Sequence, residues 1–181
     1  SDLIKAGEEL KSDTSYMVGD TVTVQGIVTM PSGLSYAGAG VKFIFADPNG
    51  GPWSSILSYD PDSSAFSTLY VGDLIQATGY IAEYSTPPTG PANMTELFIT
   101  EPINLIDIEQ PLPPVSTVTT GDLRWPTEAE QWGNVMVRIE DAVVTNNNQT
   151  GPPLIPLEYE VFALDDGTGE VLVDDDSDSI R

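Results

Sequence analysis

The sequence predicts an all-β protein built from two tandem Greek-key barrels of five strands, the second of which lacks its last two strands. Three observations lead to this prediction. Alternating and β-branched runs dominate the chain, and helical periodicity is nearly absent. One strand unit occurs twice in the first half, each time with an internal glycine. The second half then repeats part of the first and stops.

Five strands are expected within about ninety residues of the first half, because turn-forming Pro, Gly, Asn and Asp separate the apolar runs. The expected strands are Thr21–Met30, Gly40–Ala46, Trp53–Tyr59, Leu74–Tyr84 and Thr95–Ile108. Two short helices are expected as well. One covers Asp2–Lys11, and the other covers Thr127–Trp132, where Glu130 completes a capping-box spacing.

The repeated unit is VGDTVTVQGIVT, which begins at Val18, and its echo VGDLIQATGYIA, which begins at Val71. A second glycine, Gly26 or Gly79, follows the first by seven positions in each copy. A glycine inside a strand lets the strand bulge or coil sharply, as the wall of a small closed barrel requires. Long strands of this kind in first and fourth place predict an OB-fold-like barrel over residues 18–108. The alternative is a coincidence between two turn–strand units of an ordinary sandwich.

The second half resembles the first at an offset of roughly 115 residues. A proline-rich linker covers residues 109–116, and an incomplete second barrel is expected over 117–181. Within it, Gly133–Thr145 stands where Gly19–Thr29 stood, and Phe162–Val173 mirrors the second and third strands. Residues 1–17 form a separate N-terminal segment, either a short helix or a strand that could be donated to another sheet.

These patterns resemble the OB-fold modules of secreted and cell-surface bacterial proteins, including those found beside extracellular nucleases. The pattern VGDxVxVxGxV at Val18–Val28, its echo at Val71–Ile81 and the segment DDGTGEVLVDD at Asp165–Asp175 carry the resemblance. It covers most of residues 18–181 and implies a β-barrel outside the cytoplasm. It does not imply catalysis, since the nuclease chemistry of such proteins belongs to a different domain.

Charge and composition exclude several kinds of function. The chain has 28 acidic residues against six basic ones, a net charge of −22, so a nucleic-acid partner is not expected. Because Cys and His are absent, thiolate metal sites, disulfides and a Ser-His-Asp triad are excluded. No apolar run approaches the roughly 20 residues needed to span a bilayer. No pair of carboxylates stands out as catalytic, and the sequence therefore predicts a protein that is not an enzyme.

A calcium site is one possible role of the acidic C-terminal region, because oxygen-rich clusters near a glycine turn suit a hard cation. The candidate ligands are Asp165, Asp166, Asp174, Asp175 and Asp176. The spacing does not match an EF-hand loop. The alternative is a solvated acidic turn that protects a sheet edge and needs no cofactor.

Three aromatic residues are candidates for ligand binding on the barrel: Tyr36 in the first loop, and Trp53 and Tyr59 on the third strand. A neutral glycan would suit a protein of this charge better than a nucleic acid. Two glycosylation sequons, at Asn93 and Asn148, and a composition rich in Thr, Ser, Asn, Gly and Pro favour an extracellular or cell-surface location.

The sequence therefore predicts a non-enzymatic extracellular protein that assembles with copies of itself. An incomplete barrel exposes unpaired backbone, which invites strand addition, and head-to-tail completion would produce a filament. The alternative is a glycan- or nucleic-acid-binding module of a larger secreted protein.

Overall fold

The structure is a computed structural model that describes residues 14–35, 37–63, 68–84, 93–147 and 162–173. One α-helix, α1, covers Pro126–Ala129, and two 3-10 turns cover Gly121–Leu123 and Glu130–Trp132. The strands of the first part are β1 (Thr21–Met30), β2 (Val41–Ala46), β3 (Ser55–Asp60), β4 (Leu74–Tyr84), β5 (Met94–Ile99) and β6 (Asn104–Asp107). Those of the second part are β7 (Ser116–Thr117), β8 (Val137–Arg138), β9 (Val143–Asn146), β10 (Phe162–Asp165) and β11 (Val171–Val173).

The first five strands form a closed barrel, which confirms the prediction of an all-β fold with a β-barrel. The strands are ordered β1-β2-β3-β5-β4, and β4 returns to pair with β1. All these pairings are antiparallel except that between β3 and β5. The interior is apolar because alternate residues of each strand point inward. The buried cluster comprises Val28, Phe43, Phe45, Leu69, Ile75, Ala77, Ile81, Leu97 and Ile99.

The two copies of the repeated unit enter their strands through the same turn. The backbone N–H of Asp20 donates to the carbonyl of Met17 at 2.8 Å, and that of Asp73 donates to Tyr70 at 3.1 Å. The third residue of each turn is a glycine with a positive φ, 89° at Gly19 and 92° at Gly72. This position of a type II turn favours glycine because a side chain there is strained.

The two units then pair with each other across the seam that closes the barrel. Gly19 donates its N–H to the carbonyl of Ile81 at 2.8 Å, and Gly72 donates to Val28 at 3.0 Å. Residues 19 and 72 are equivalent in the repeat, and so are residues 28 and 81. The seam therefore has a local pseudo-two-fold symmetry, with Val24 opposite its own equivalent, Ala77.

The internal glycines of these strands allow close backbone approach. A Cβ atom on Gly26 would lie 2.6 Å from the carbonyl oxygen of Ala46, and one on Gly79 would lie 2.2 Å from that of Phe98. Both distances are far below van der Waals contact, so a larger side chain would displace the neighbouring strand. The glycines are needed where β1 and β4 each contact two neighbouring strands.

Two strand predictions differ from the structure. The expected strand Thr95–Ile108 is interrupted, because β5 ends at Ile99 and β6 begins at Asn104, and the interruption contains Pro102, which has no N–H for a ladder. Trp53 does not begin β3, which starts at Ser55. Trp53 instead has a φ of 64° in the β2–β3 connection.

The second part contains a three-stranded sheet, β11-β10-β9, which we call the C-terminal sheet. It repeats a detail of the barrel. Thr29 is the extra residue where β1 shifts register against β2, and Thr145 is the extra residue where β9 shifts against β10. Each hydroxyl lies 3.5 Å from a carbonyl oxygen of the neighbouring strand, that of Ile44 or Ala163. The pairs β1–β2 and β9–β10 therefore share a bulge at a threonine.

The segment that follows α1 contacts the barrel, because the backbone N–H of Trp53 donates to the carbonyl of Gln131 at 2.7 Å. Elsewhere in the second part, β7 and β8 form a parallel pair. The linker contacts the barrel as well, since Gln110 donates its N–H to Gly72 at 2.8 Å. Within the described ranges, no helix has the length and apolar character needed to cross a bilayer.

Candidate functional site

The C-terminal sheet exposes apolar side chains on two of its three strands. Val143 is 62 % exposed and Val144 is 56 % exposed on β9, and Leu172 on β11 is 46 % exposed. Consecutive residues of a strand point to opposite faces, so Val143 and Val144 expose apolar surface on both faces. Although singly exposed apolar residues are ordinary, a strand added beside β9 would place its own side chains next to Val143 on one face and next to Val144 on the other.

The edges of this sheet differ from those of the equivalent strands in the barrel. There, β1 pairs with β4 as well as β2, and β3 pairs with β5 as well as β2. In the part of the chain that the structure describes, β9 and β11 each pair only with β10. Neither outer edge of this sheet therefore has a further strand beside it within the described ranges.

The turn between β10 and β11 contains two of the predicted calcium ligands, and both carboxylates accept intramolecular hydrogen bonds. Asp165 Oδ1 accepts from the N–H groups of Gly167 at 2.7 Å and Gly169 at 3.2 Å. Asp166 Oδ1 accepts from the hydroxyls of Thr120 at 2.7 Å and Thr168 at 2.6 Å. Among the described residues no group of acidic side chains is arranged to hold a metal ion.

The hydrogen bonds to Asp166 stabilise its ionised form. Those from the Thr168 and Thr120 side chains lower the pKa of the Asp166 carboxyl far below its usual range. Thr120 is completely buried and also donates its backbone N–H to Asp166 Oδ2 at 3.1 Å. The geometry gives this carboxylate a structural role, in which it attaches residues 120–121 to the β10–β11 turn.

A cavity of about 390 Å³ lies at the end of the barrel where β2 connects to β3. Apolar side chains from β1, β2 and β4 form its inner wall, including Val22, Val24, Phe45 and Ile81. Trp53, Asp47 and the segment that follows α1 also line it. Its volume falls in the range of small-molecule sites in proteins, about 300–1,000 Å³.

Trp53 holds an unusual position in this cavity. A positive φ is an outlier for a bulky residue and costs on the order of 1–3 kcal/mol. The hydrogen bond from its N–H to Gln131 holds the backbone in this conformation. Trp53 lies in the lining of the cavity, together with residues of the segment that follows α1.

Tyr59 lies elsewhere, on the outer face of the barrel. Its ring packs edge-on against Phe98 at a centroid distance of 5.6 Å, and Phe98 stacks on Tyr80 at 4.8 Å. Because Phe98 and Tyr80 turn their faces toward each other, those faces are occupied within the protein. The structure therefore does not bring Tyr59 and Trp53 into one site, and Tyr36 lies outside the described residues.

Two glutamates near the cavity end of the barrel were not singled out from the sequence. Glu83 Oε1 accepts from the N–H of Ser15 at 2.7 Å and the hydroxyl of Thr95 at 3.0 Å, while its buried Oε2 has no hydrogen-bond partner among the described residues. Glu96 is only 7 % exposed. Burial raises the pKa of Glu96, the charge of Lys42 opposes this shift, and the charge of Glu83 adds to it. Alternation along β4 and β5 could have indicated which face of its strand each glutamate occupies. It could not have indicated that these side chains are buried.

The other predicted positions are only partly described. Asn93 is half-buried, lines the cavity, and lies with its amide nitrogen 3.4 Å from the Thr14 hydroxyl. Asn148 and the acidic residues Asp174, Asp175 and Asp176 lie outside the described residues.

Neither a scan against protein-family models nor a search of curated proteins finds a match to this chain.

Proposed function

We propose that this chain is a non-enzymatic, extracellular structural protein that assembles with copies of itself by strand addition to the C-terminal sheet. One observation carries the proposal. The C-terminal sheet shares the threonine bulge of β1–β2, but its outer strands have no second partner among the described residues, whereas β1 and β3 do. Edge strands with free backbone groups and apolar side chains are the usual sites of strand addition.

The barrel supports the same proposal in two ways. A closed barrel of five strands is consistent with an OB-fold, and we propose OB-fold modules of the secreted type for both halves. The barrel also indicates the directions in which strands added to the C-terminal sheet would run. By analogy with β4 and β5, an added strand would run antiparallel to β9, and another would run parallel to β11.

The N-terminal segment, residues 1–17, is the proposed donor strand. The contacts of its last residues with the barrel limit which part of it can be donated to another chain. Ser15 is buried, its N–H binds Glu83, and Met17 packs against the barrel core. These residues belong to the barrel of their own chain. The donor in our proposal is therefore confined to residues 1–13, which lie outside the described residues.

The test compares two single substitutions that add the same charge at similar exposure. Val144→Lys lies on β9, where the side chain is 56 % exposed, and Val71→Lys lies in the turn before β4, outside any strand, where it is 48 % exposed. We expect Val144→Lys to weaken self-association about tenfold or more, because a lysine on an edge strand opposes pairing. Val71→Lys should associate like the unmodified chain. Sedimentation velocity over a concentration series and electron microscopy provide the measurement.

Deleting residues 1–13 tests the donor separately and should abolish assembly while leaving the barrel folded. Recovery of assembly on adding the corresponding synthetic peptide would identify the donor directly. The proposal is wrong if the unmodified chain stays monomeric up to high micromolar concentration, or if both lysine variants lose association equally.

A further inference from the structure

We propose that the cavity at the β2–β3 end of the barrel binds a small organic cation with an apolar body. This proposal does not depend on the assembly of the C-terminal sheet. It rests on the apolar wall of the cavity, on the sign of its charges and on the position of Trp53.

The inner wall defines where the body of the ligand would lie. Val22, Val24, Ile56 and Ile81 present aliphatic surface, and Phe45 adds an aromatic ring. A ligand that fills this space removes its own apolar surface from water, which favours binding in proportion to the area buried. A ligand that is polar throughout has no apolar surface to bury against this wall, so it would not gain this part of the binding free energy.

The charges around the cavity define the head of the ligand. Among the described residues that line it, the ionisable side chains are Asp47 and Glu130, and both are acidic. The chain as a whole carries −22, so its field repels anions and concentrates cations. A positively charged head is therefore favoured over a neutral one, and an anionic head is opposed.

Trp53 provides the surface for such a head. The face of an indole ring attracts ammonium groups through its quadrupole, more strongly than the other aromatic side chains. Backbone strain concentrates at ligand clamps and active sites, and Trp53 is held at a φ of 64° by the second part of the chain. Gln25 and Asn134 also line the cavity, and the amide oxygens of such residues accept hydrogen bonds from ammonium groups.

The test uses three probes that share one body: 2-phenylethylammonium, 2-phenylethanol and phenylacetate. Binding is followed by amide chemical shifts of the full chain and by calorimetry at neutral pH. We expect the ammonium to bind most tightly, the alcohol about tenfold more weakly, and the carboxylate weakest of the three. The shifts should map to residues 45–56 and 130–134. Equal binding of ammonium and alcohol, or shifts spread over the acidic surface, would overturn the proposal.

Matched variants separate the cavity from general acidity. Glu130→Gln should weaken the ammonium about five- to tenfold and leave the alcohol unchanged. Glu128→Gln, in α1 but not among the lining residues, should alter neither. Trp53→Ala should weaken both probes, whereas Trp125→Ala, at a tryptophan that is 56 % exposed outside the cavity, should not. If Trp53→Ala fails to fold, the glutamate pair still decides the question, because equal effects of the two glutamines contradict the proposed site.

Discussion

At the scale of single residues, two carboxylates of this acidic protein have opposite effects on stability. Asp166 accepts hydrogen bonds from two threonine side chains, so its ionised form is stabilised and its pKa is lowered. Its contribution is present above the ordinary pKa of 3.8 and is lost as the pH falls through the lowered value. Glu96 is buried, so its ionised form is disfavoured and its pKa is raised.

Replacing Glu96 by glutamine should stabilise the barrel at neutral pH. With a raised folded pKa, the contribution of Glu96 to stability is fully present below its ordinary value of 4.5 and is lost as the pH rises through the folded value. Glutamine does not ionise, so Glu96→Gln does not lose this stability as the pH rises. The gain in Tm over the unmodified chain should therefore be absent near pH 4, grow above pH 4.5 and then level off.

The control for this prediction is Glu101→Gln, at an exposed glutamate just beyond β5. It removes the same charge from the same region without relieving burial. A pH-independent difference between Glu96→Gln and the unmodified chain, or an equal gain from Glu101→Gln, would contradict the role given to burial.

At the scale of elements, the seam between β1 and β4 depends on two glycines that the sequence repeats. Gly79→Ala should destabilise the barrel by about 1–3 kcal/mol or more, because the new Cβ would lie 2.2 Å from the carbonyl oxygen of Phe98. Gly26→Ala, with a nearest distance of 2.6 Å, should have a smaller effect. Chemical denaturation monitored by circular dichroism measures the differences.

Gln76→Ala is the matched control on the same strand, because Gln76 is exposed on the outer face of β4. It should change the free energy of unfolding by less than about 0.5 kcal/mol. If Gly79→Ala were tolerated as well as Gln76→Ala, the close approach of β5 to β4 would not be required for barrel closure.

Sequence reasoning found the repeated unit and its glycines because turn chemistry and in-strand glycine are local signals. It did not foresee that the two units pair with each other, since pairing depends on which strands meet in space. Pro102 is a local signal for the interruption between β5 and β6, although the apolar residues on either side of it predict one long strand. The sequence predicts that Trp53 begins the third strand, but its hydrogen bond to Gln131 and its positive φ place it in the connection. The cavity could not be foreseen, because its lining comes from residues far apart in the chain.

At the scale of the whole molecule, the net charge of −22 acts in opposite directions on the two proposed interactions. Two copies of the chain repel each other, and this repulsion opposes strand addition at low ionic strength. A small organic cation is attracted by the same field. Salt shortens the Debye length from about 10 Å at 0.1 M to about 3 Å at 1 M and so weakens both effects.

Salt should therefore strengthen self-association and weaken cation binding in one and the same preparation. Between about 0.05 and 1 M NaCl, we expect the weight-average sedimentation coefficient to rise and the affinity for 2-phenylethylammonium to fall several-fold. The binding of 2-phenylethanol serves as the internal control, since an uncharged probe feels no screening and should bind equally or slightly more tightly at high salt. Association that decreases with salt would mean that attraction between opposite charges holds the copies together. The six basic residues of each chain would then supply the positive charges of the contact. That result would exclude apolar strand addition as the dominant contact.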